Sequence, residues 1–182
     1  RNRGSLPAAG NRRPQQGDAS MTKRLLIRGA EVVVTMDGTR REIAGGDVLI
    51  DGGVILAVGQ DLAGEGAEII EARGCVVTPG LVNTHHHLFQ TLTRAVPAAQ
   101  DAALFGWLRT LYLIWGRMTP GDIRLSAQIG LAELALSGCT CSSDHLYLFP
   151  NGARLDDSIE AAAEIGIRFH ATRGAMSIGE SK

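Results

Sequence analysis

Three consecutive histidines, His85-His86-His87, follow the stretch VVTPGLVNT in a chain that holds only five histidines. This stretch constrains the fold because the period of the sequence changes across it. Before it run short β-branched stretches broken by glycine; after it apolar residues recur at helical spacing. Leu81-Val82-Asn83 reads as a short buried strand that runs straight into the histidines. On a strand, successive side chains alternate faces, so His85 and His87 share one face and His86 takes the other. Imidazoles ~6–7 Å apart along a strand converge on one ion once pleat and twist tip them together. Neutral imidazole nitrogen is a common zinc ligand, at ~2.0–2.1 Å. A lone His-x-His is more often incidental; here the context on both sides sets it apart.

Upstream, RLLIRGAEVVVTMDG reads as a strand, a turn at Gly29 and a β-branched strand closed by Asp37-Gly38. GDVLIDGGVILAVG reads as a hairpin turning at Asp51-Gly52-Gly53. Ile69-Ile70 and Cys75-Val76-Val77 follow, separated by a turn at Arg73-Gly74. Residues 21–79 are therefore expected to form a small antiparallel β domain of sandwich type. Residues 1–20 are polar, basic and rich in Gly and Pro, without the apolar stretch of a secretory signal. They read as a disordered extension, with Met21 as the natural start.

Downstream, Asp101 to Gly116 reads as one helix. A second has Thr119 as N-cap, Pro120 at the first position, Asp122 completing a capping-box-like start and Gly138 as its end. Ile123, Ala127, Leu131 and Leu134 form its apolar stripe. CTCSSD reads as a strand, the segment from about Asp156 to Gly166 as a helix, and IRFHATRG as a third strand. Alternating strands and helices imply parallel β/α units with right-handed crossovers, buried on both faces. Three such strands cannot close a barrel of eight, so residues 80–182 read as the first part of a larger α/β barrel of the (β/α)8, TIM type.

Composition narrows the function. A formal net charge of −1 and 4% aromatic residues predict neither nucleic acid nor an anionic membrane as partner. No apolar run approaches the ~18 residues that span a bilayer. Cys75, Cys139 and Cys141 are odd in number and contain no Cys-x-x-Cys pair, which favours a reducing cytoplasm over a disulfide framework. Cys139 and Cys141 read as small buried residues.

VVTPGLVNTHHHLFQTLTR resembles the first-strand signature of the amidohydrolase superfamily, apolar-Pro-Gly-apolar-apolar-Asp/Asn-x-His-x-His at the opening of the barrel. The likeness extends over almost all of residues 21–182, through SGCTCSSDHLYLFP, and is strongest to the cytosine-deaminase-like and chlorohydrolase-like branch, among the deaminases of 8-oxoguanine. The resemblance implies one divalent ion, zinc first and iron second. His85 and His87 carry over as metal ligands, while His86 does not; Asn83 shapes the turn. It further implies two more histidines, an aspartate and a proton-handling glutamate beyond Lys182, so that this segment alone is expected to be inactive. It also implies a homo-oligomer.

The implied chemistry is hydrolytic deamination of an aminopurine base, 8-oxoguanine foremost, with release of ammonia. Gln90 resembles the glutamine that purine deaminases place on the ring edge, and an amide offers both a donor and an acceptor; the alternative is a solvent-facing loop residue. Trp115 could stack on a flat heterocycle, against core packing with Leu108 and Leu111. Arg173 and His145 end strands where a barrel places substrate contacts, against plain surface polarity for Arg173; Asp144 ends the same strand as His145. His170 reads as a satisfied structural histidine. LIWGRMT lacks the glutamate with which related nucleoside deaminases read ribose, which favours a free base. The competing readings are a triazine or pterin amino- or chlorohydrolase, a two-metal cyclic amidase, and a non-catalytic β-rich binding fragment. The only lysines are Lys23 and Lys182, so a bridging carboxylated lysine is not expected here.

The alternation argument makes a direct prediction for the intact protein. Replacing His86 with Asn should leave metal content nearly unchanged, while replacing His85 or His87 should abolish activity. Metal analysis of the purified variants checks this, and equal losses at all three positions would refute it.

Overall fold

The computed structural model describes residues 24–175. The expected N-terminal extension, Met21 and the last seven residues lie outside that range. The described chain divides into two compact units between Pro79 and Gly80.

The first unit is one mixed five-stranded sheet. Its strands are β1 (Leu25–Val34), β2 (Glu42–Asp51), β3 (Val54–Gly59), β4 (Glu68–Glu71) and β5 (Val76–Val77). The order is β3-β2-β1-β4, with β5 also on β1. β1 to β3 form the expected antiparallel meander, with Asp51 opposite Val54 at the hairpin. The expected antiparallel sandwich is not what the described residues form. β4 and β5 pair parallel to β1, one after the other along its free edge, at Leu25–Arg28 and at Val32–Val33. They extend one sheet rather than build a second. The expected break at Gly29 is instead a bulge inside a single ten-residue strand. Gly29 takes φ +67° there, and its N–H donates to buried Asp47 at 2.8 Å. Ala30, Val33, Val48 and Ala72 form the core of this unit.

The second unit carries a parallel sheet ordered β6-β7-β8, from β6 (Leu81–Asn83), β7 (Cys139–Leu146) and β8 (Arg168–Arg173). Helices α1 (Leu104–Trp115) and α2 (Pro120–Leu136) connect β6 to β7, and α3 (Leu155–Ile165) connects β7 to β8. The starts and stops follow local chemistry. Thr119 and Asp122 form a reciprocal capping box with Pro120 at the first turn, and α3 ends on Gly166 at φ +79°. Ile123, Ala127 and Leu131 are fully buried, as their spacing predicts.

Two burial expectations are corrected. Leu81 and Val82 are 59% and 62% exposed, because among the described residues the faces of this edge strand are left largely uncovered. His170 is exposed rather than internal. On β8 its neighbour Phe169 packs on the α2–α3 cluster, so His170 points to the opposite, uncovered face.

Trp115 lies at the centre of the second unit's larger core, fully buried, with edge-to-face contacts to Phe89, Trp107 and Tyr112. Its indole N–H donates to Thr93 at 2.9 Å. The substrate-stacking role is therefore replaced by the core-packing alternative. Trp115→Ala should destabilise the fold by ~3–5 kcal/mol, measured by denaturant unfolding.

Candidate metal centre

β6 stops at Asn83, before the histidines. The Asn83 side-chain oxygen accepts the His85 N–H at 3.3 Å, and its amide reaches Ser142 on β7 at 3.3 Å. Such a local acceptor draws the backbone out of the ladder. His85 to His87 lie on irregular chain, and a 3-10 turn, Leu88–Thr93, begins straight afterwards. Strand alternation is therefore not what sorts the three rings, which corrects the expectation drawn from the pleat. The irregular chain nevertheless brings His85 and His87 together, with ring centroids 5.0 Å apart and planes near perpendicular. His86 is half-buried, its Nδ1 unpartnered. Burial, then the charges of His87 and Arg94, hold its pKa below the usual histidine value.

The pair fits a shared ion. Two imidazoles with centroids ~3.2 Å from one ion at a tetrahedral angle stand ~5 Å apart. His87 is also held in the required tautomer. Its Nδ1 lies 2.9 Å from the backbone carbonyl oxygen of His145. A carbonyl only accepts, so Nδ1 carries a proton, and in the neutral ring Nε2 is the nitrogen that holds the lone pair. Among the described residues no group of three or more His, Cys, Asp or Glu side chains is placed to hold an ion. Among the described residues the site offers these two imidazoles as a pair of donors.

The end of β7 walls one side of the pair. His145 and Tyr147 stand 5.4 Å and 5.3 Å from the His87 ring. Gly174 makes room for this arrangement, because a Cβ there would come within 2.4 Å of His145 Nε2. Asp144 is fully buried; one carboxylate oxygen accepts the Leu88 N–H at 2.8 Å and the other has no partner among the described residues. Burial, outweighing the Leu88 N–H and the His87 charge, pushes its pKa up to about 6.

Gln90 lines a cavity of about 280 Å³ together with the three histidines and donates to the Tyr147 hydroxyl at 3.2 Å. Burial, then Tyr112, pushes the Tyr147 phenol up to about 12, so it stays protonated. Arg173 lies apart from this group, with its guanidinium 4.7 Å over the Phe149 ring. Sequence reasoning missed Tyr147 and Ser126. Tyr147 could have been found from its place two residues beyond His145 at the same strand end. Ser126, fully buried on α2, donates to the carbonyls of Leu88 and Phe89 at 2.9 Å each and holds the 3-10 turn. A serine within the apolar stripe of α2 was its only signal.

Comparison with known proteins places the chain in a family. A family model described as "Amidohydrolase family" matches residues 76–182. The chain is 45% identical over 161 residues to an 8-oxoguanine deaminase of Pseudomonas aeruginosa, covering 86% of this chain and 35% of that protein. It is 41% identical over 160 residues to an isoxanthopterin deaminase of an unknown prokaryotic organism, covering 84% and 33%. Among solved structures, an atrazine chlorohydrolase from Arthrobacter aurescens TC1 complexed with zinc superposes with TM-score 0.79 at 38% identity, covering 86% of this chain and 37% of that one. The chain thus spans about a third of the length of the relatives it matches. Among the described residues no helix is long and apolar enough to cross a membrane.

The raised Asp144 pKa has a signed consequence. The folded value, about 6, lies above the ordinary 3.8, so folding favours the protonated acid. Its contribution is full below pH ~4 and is lost as pH rises to ~6. Asp144→Asn removes this titration. In metal-free protein, the stability of the variant relative to the parent should rise by on the order of 3 kcal/mol between pH ~4 and ~7. Urea titration after chelation measures it, and a flat difference would show that Asp144 does not titrate in that range.

Proposed function

This chain belongs to the amidohydrolase family, and from that premise we propose that the whole protein is a metal-dependent aminohydrolase that deaminates a flat aminopurine base, 8-oxoguanine foremost. The observation that carries the reading is the His85–His87 pair, 5.0 Å apart and tautomerically fixed at His87. The whole protein completes a (β/α)8 barrel. The exposed apolar side chains of β6 support this, since parallel strands are ordinarily covered on both faces. Zinc is the preferred ion, as in the chlorohydrolase complex. Three free cysteines are consistent with action in the cytoplasm.

His85 and His87 would hold the ion through ring nitrogens. The ion would supply a water acidic enough to attack at neutral pH. His145 and Tyr147 give the substrate side a wall of rings. Gln90, tethered to Tyr147, turns an amide edge to the heterocycle. Among the described residues the Arg173 guanidinium is held by stacking on Phe149, worth ~0.5–1 kcal/mol at an exposed site. A substrate carbonyl, such as that at ring position 8, competes readily with so weak a hold. Segment 113–119 carries no carboxylate for ribose hydroxyls. A buried acceptor lacking its partner costs ~1–3 kcal/mol, so a base-only site does without one.

The likeness to isoxanthopterin deaminase favours one second reading, a pterin in the same site. Ammonia release from 8-oxoguanine, guanine, guanosine and isoxanthopterin by the intact protein separates the cases. The expected order of kcat/KM places 8-oxoguanine first and guanosine last. Guanosine as best substrate would overturn the free-base reading. Unchanged 8-oxoguanine turnover in Gln90→Ala and Arg173→Ala would overturn those two roles alone.

A further inference from the structure

Two consecutive residues at the end of β7 hold three consecutive residues, His86, His87 and Leu88. The His145 N–H donates to the His86 carbonyl at 2.9 Å. The His145 carbonyl accepts from His87 Nδ1 at 2.9 Å. The Asp144 carboxylate accepts the Leu88 N–H at 2.8 Å. Two of these bonds are made by the backbone of residue 145 and survive any side chain there. The third depends on the side chain of residue 144 alone.

That third bond acts on the His87 peptide itself. The Leu88 nitrogen belongs to the amide that follows His87, so fixing its N–H fixes ψ of His87, which stands at 78° with φ −129°. Rotation about that bond would swing the His87 backbone relative to the His145 carbonyl and break the ring's own hydrogen bond. The ring would then lose both its direction and its tautomer. Stability alone does not account for a carboxylate here. Asp144 is fully excluded from solvent, and its second oxygen finds no partner among the described residues, which is costly in a folded interior.

We propose that Asp144 is a positioning residue for the metal centre, acting through the His87 peptide to aim the His87 imidazole at the ion. The proposal rests on the reading of His85 and His87 as metal ligands. It assigns the acceptor oxygen, rather than the negative charge, as the property that matters. Groups that orient metal-bound histidines characteristically alter metal affinity ~10–100-fold when removed.

The test uses the intact protein and zinc itself. Zinc affinity is measured by competition with a chromophoric chelator in the parent, Asp144→Ala, Asp144→Asn and Ser126→Ala. The visible spectrum of each cobalt-substituted form is recorded beside it. Asp144→Ala should bind zinc ~10–100-fold more weakly and change the cobalt bands. Asp144→Asn, which keeps an acceptor oxygen, should remain within about threefold of the parent. Ser126→Ala loosens the same 3-10 turn without touching the His87 peptide, so it should lower the melting temperature yet leave the cobalt bands in place. Parent-like zinc affinity and spectrum in Asp144→Ala would overturn the proposal. So would an Asp144→Asn variant that loses metal as Asp144→Ala does, or a Ser126→Ala variant with the same spectral change. If Asp144→Ala is not recovered folded, Asp144→Asn against Ser126→Ala decides the matter by the same criteria. A parent protein that binds no zinc would instead overturn the metal reading on which the proposal stands.

Discussion

The mouth of the parallel sheet depends on how the end of β6 is tied to the end of β7. The ladder between the two strands covers only Leu81 to Asn83. Beyond Asn83 the chain leaves the sheet, yet it remains joined to Asp144 and His145 by backbone and side-chain bonds. The 3-10 turn that follows is anchored from other sides as well. Ser126 accepts the Leu92 N–H, Thr93 accepts from Trp115, and Arg94 makes a bidentate pair with Glu133. Gly130 lets α2 approach closely, since a Cβ there would meet Leu88 at 2.7 Å. An irregular segment is thereby held by elements that are themselves regular. Side chains that must converge to within a few tenths of an ångström need such support.

The legible parts of the fold were those decided by neighbours in sequence. Thr119, Pro120 and Asp122 specify a helix start among themselves, and Gly166 specifies a stop by its own backbone freedom. The Asp51–Gly53 hairpin is likewise local. What was not legible was decided at a distance. Ile69-Ile70 and Val76-Val77 read correctly as strands, but nothing in them reveals that both pair parallel to β1. Gly29 reads from its neighbours as a turn, though a glycine of positive φ serves a bulge as well. Asp47, accepting from Gly29 and from the Leu62 N–H, resolves that ambiguity from another strand.

The site divides in the same way. The His-x-His pattern is local, and the pair it marks does converge, although by a turn after the strand rather than by the pleat within it. Asp144 and His145 were visible as strand-end residues. Their parts in the structure were not, because two of the three bonds they make to the histidine run come from a backbone that any residue carries. Trp115 shows the opposite hazard. A large aromatic close in sequence to a site invites a ligand role, while its full burial and its N–H bond to Thr93 assign it to the core.

Gln90 donates its amide N–H to the Tyr147 oxygen, and the phenol, kept protonated by burial, also interacts with Tyr112. The Gln90–Tyr147 bond uses one of the two amide N–H groups, so Gln90 keeps its carbonyl oxygen as acceptor and one N–H as donor. The cationic Arg173 is a donor only. An acceptor and a donor on separate elements suit a heterocycle that carries both an amine and a carbonyl at opposite edges. A chlorinated triazine offers amines but no carbonyl, so it would leave the arginine to its stack on Phe149. The polarity of these two side chains supports the proposal of an oxidised purine or pterin as substrate.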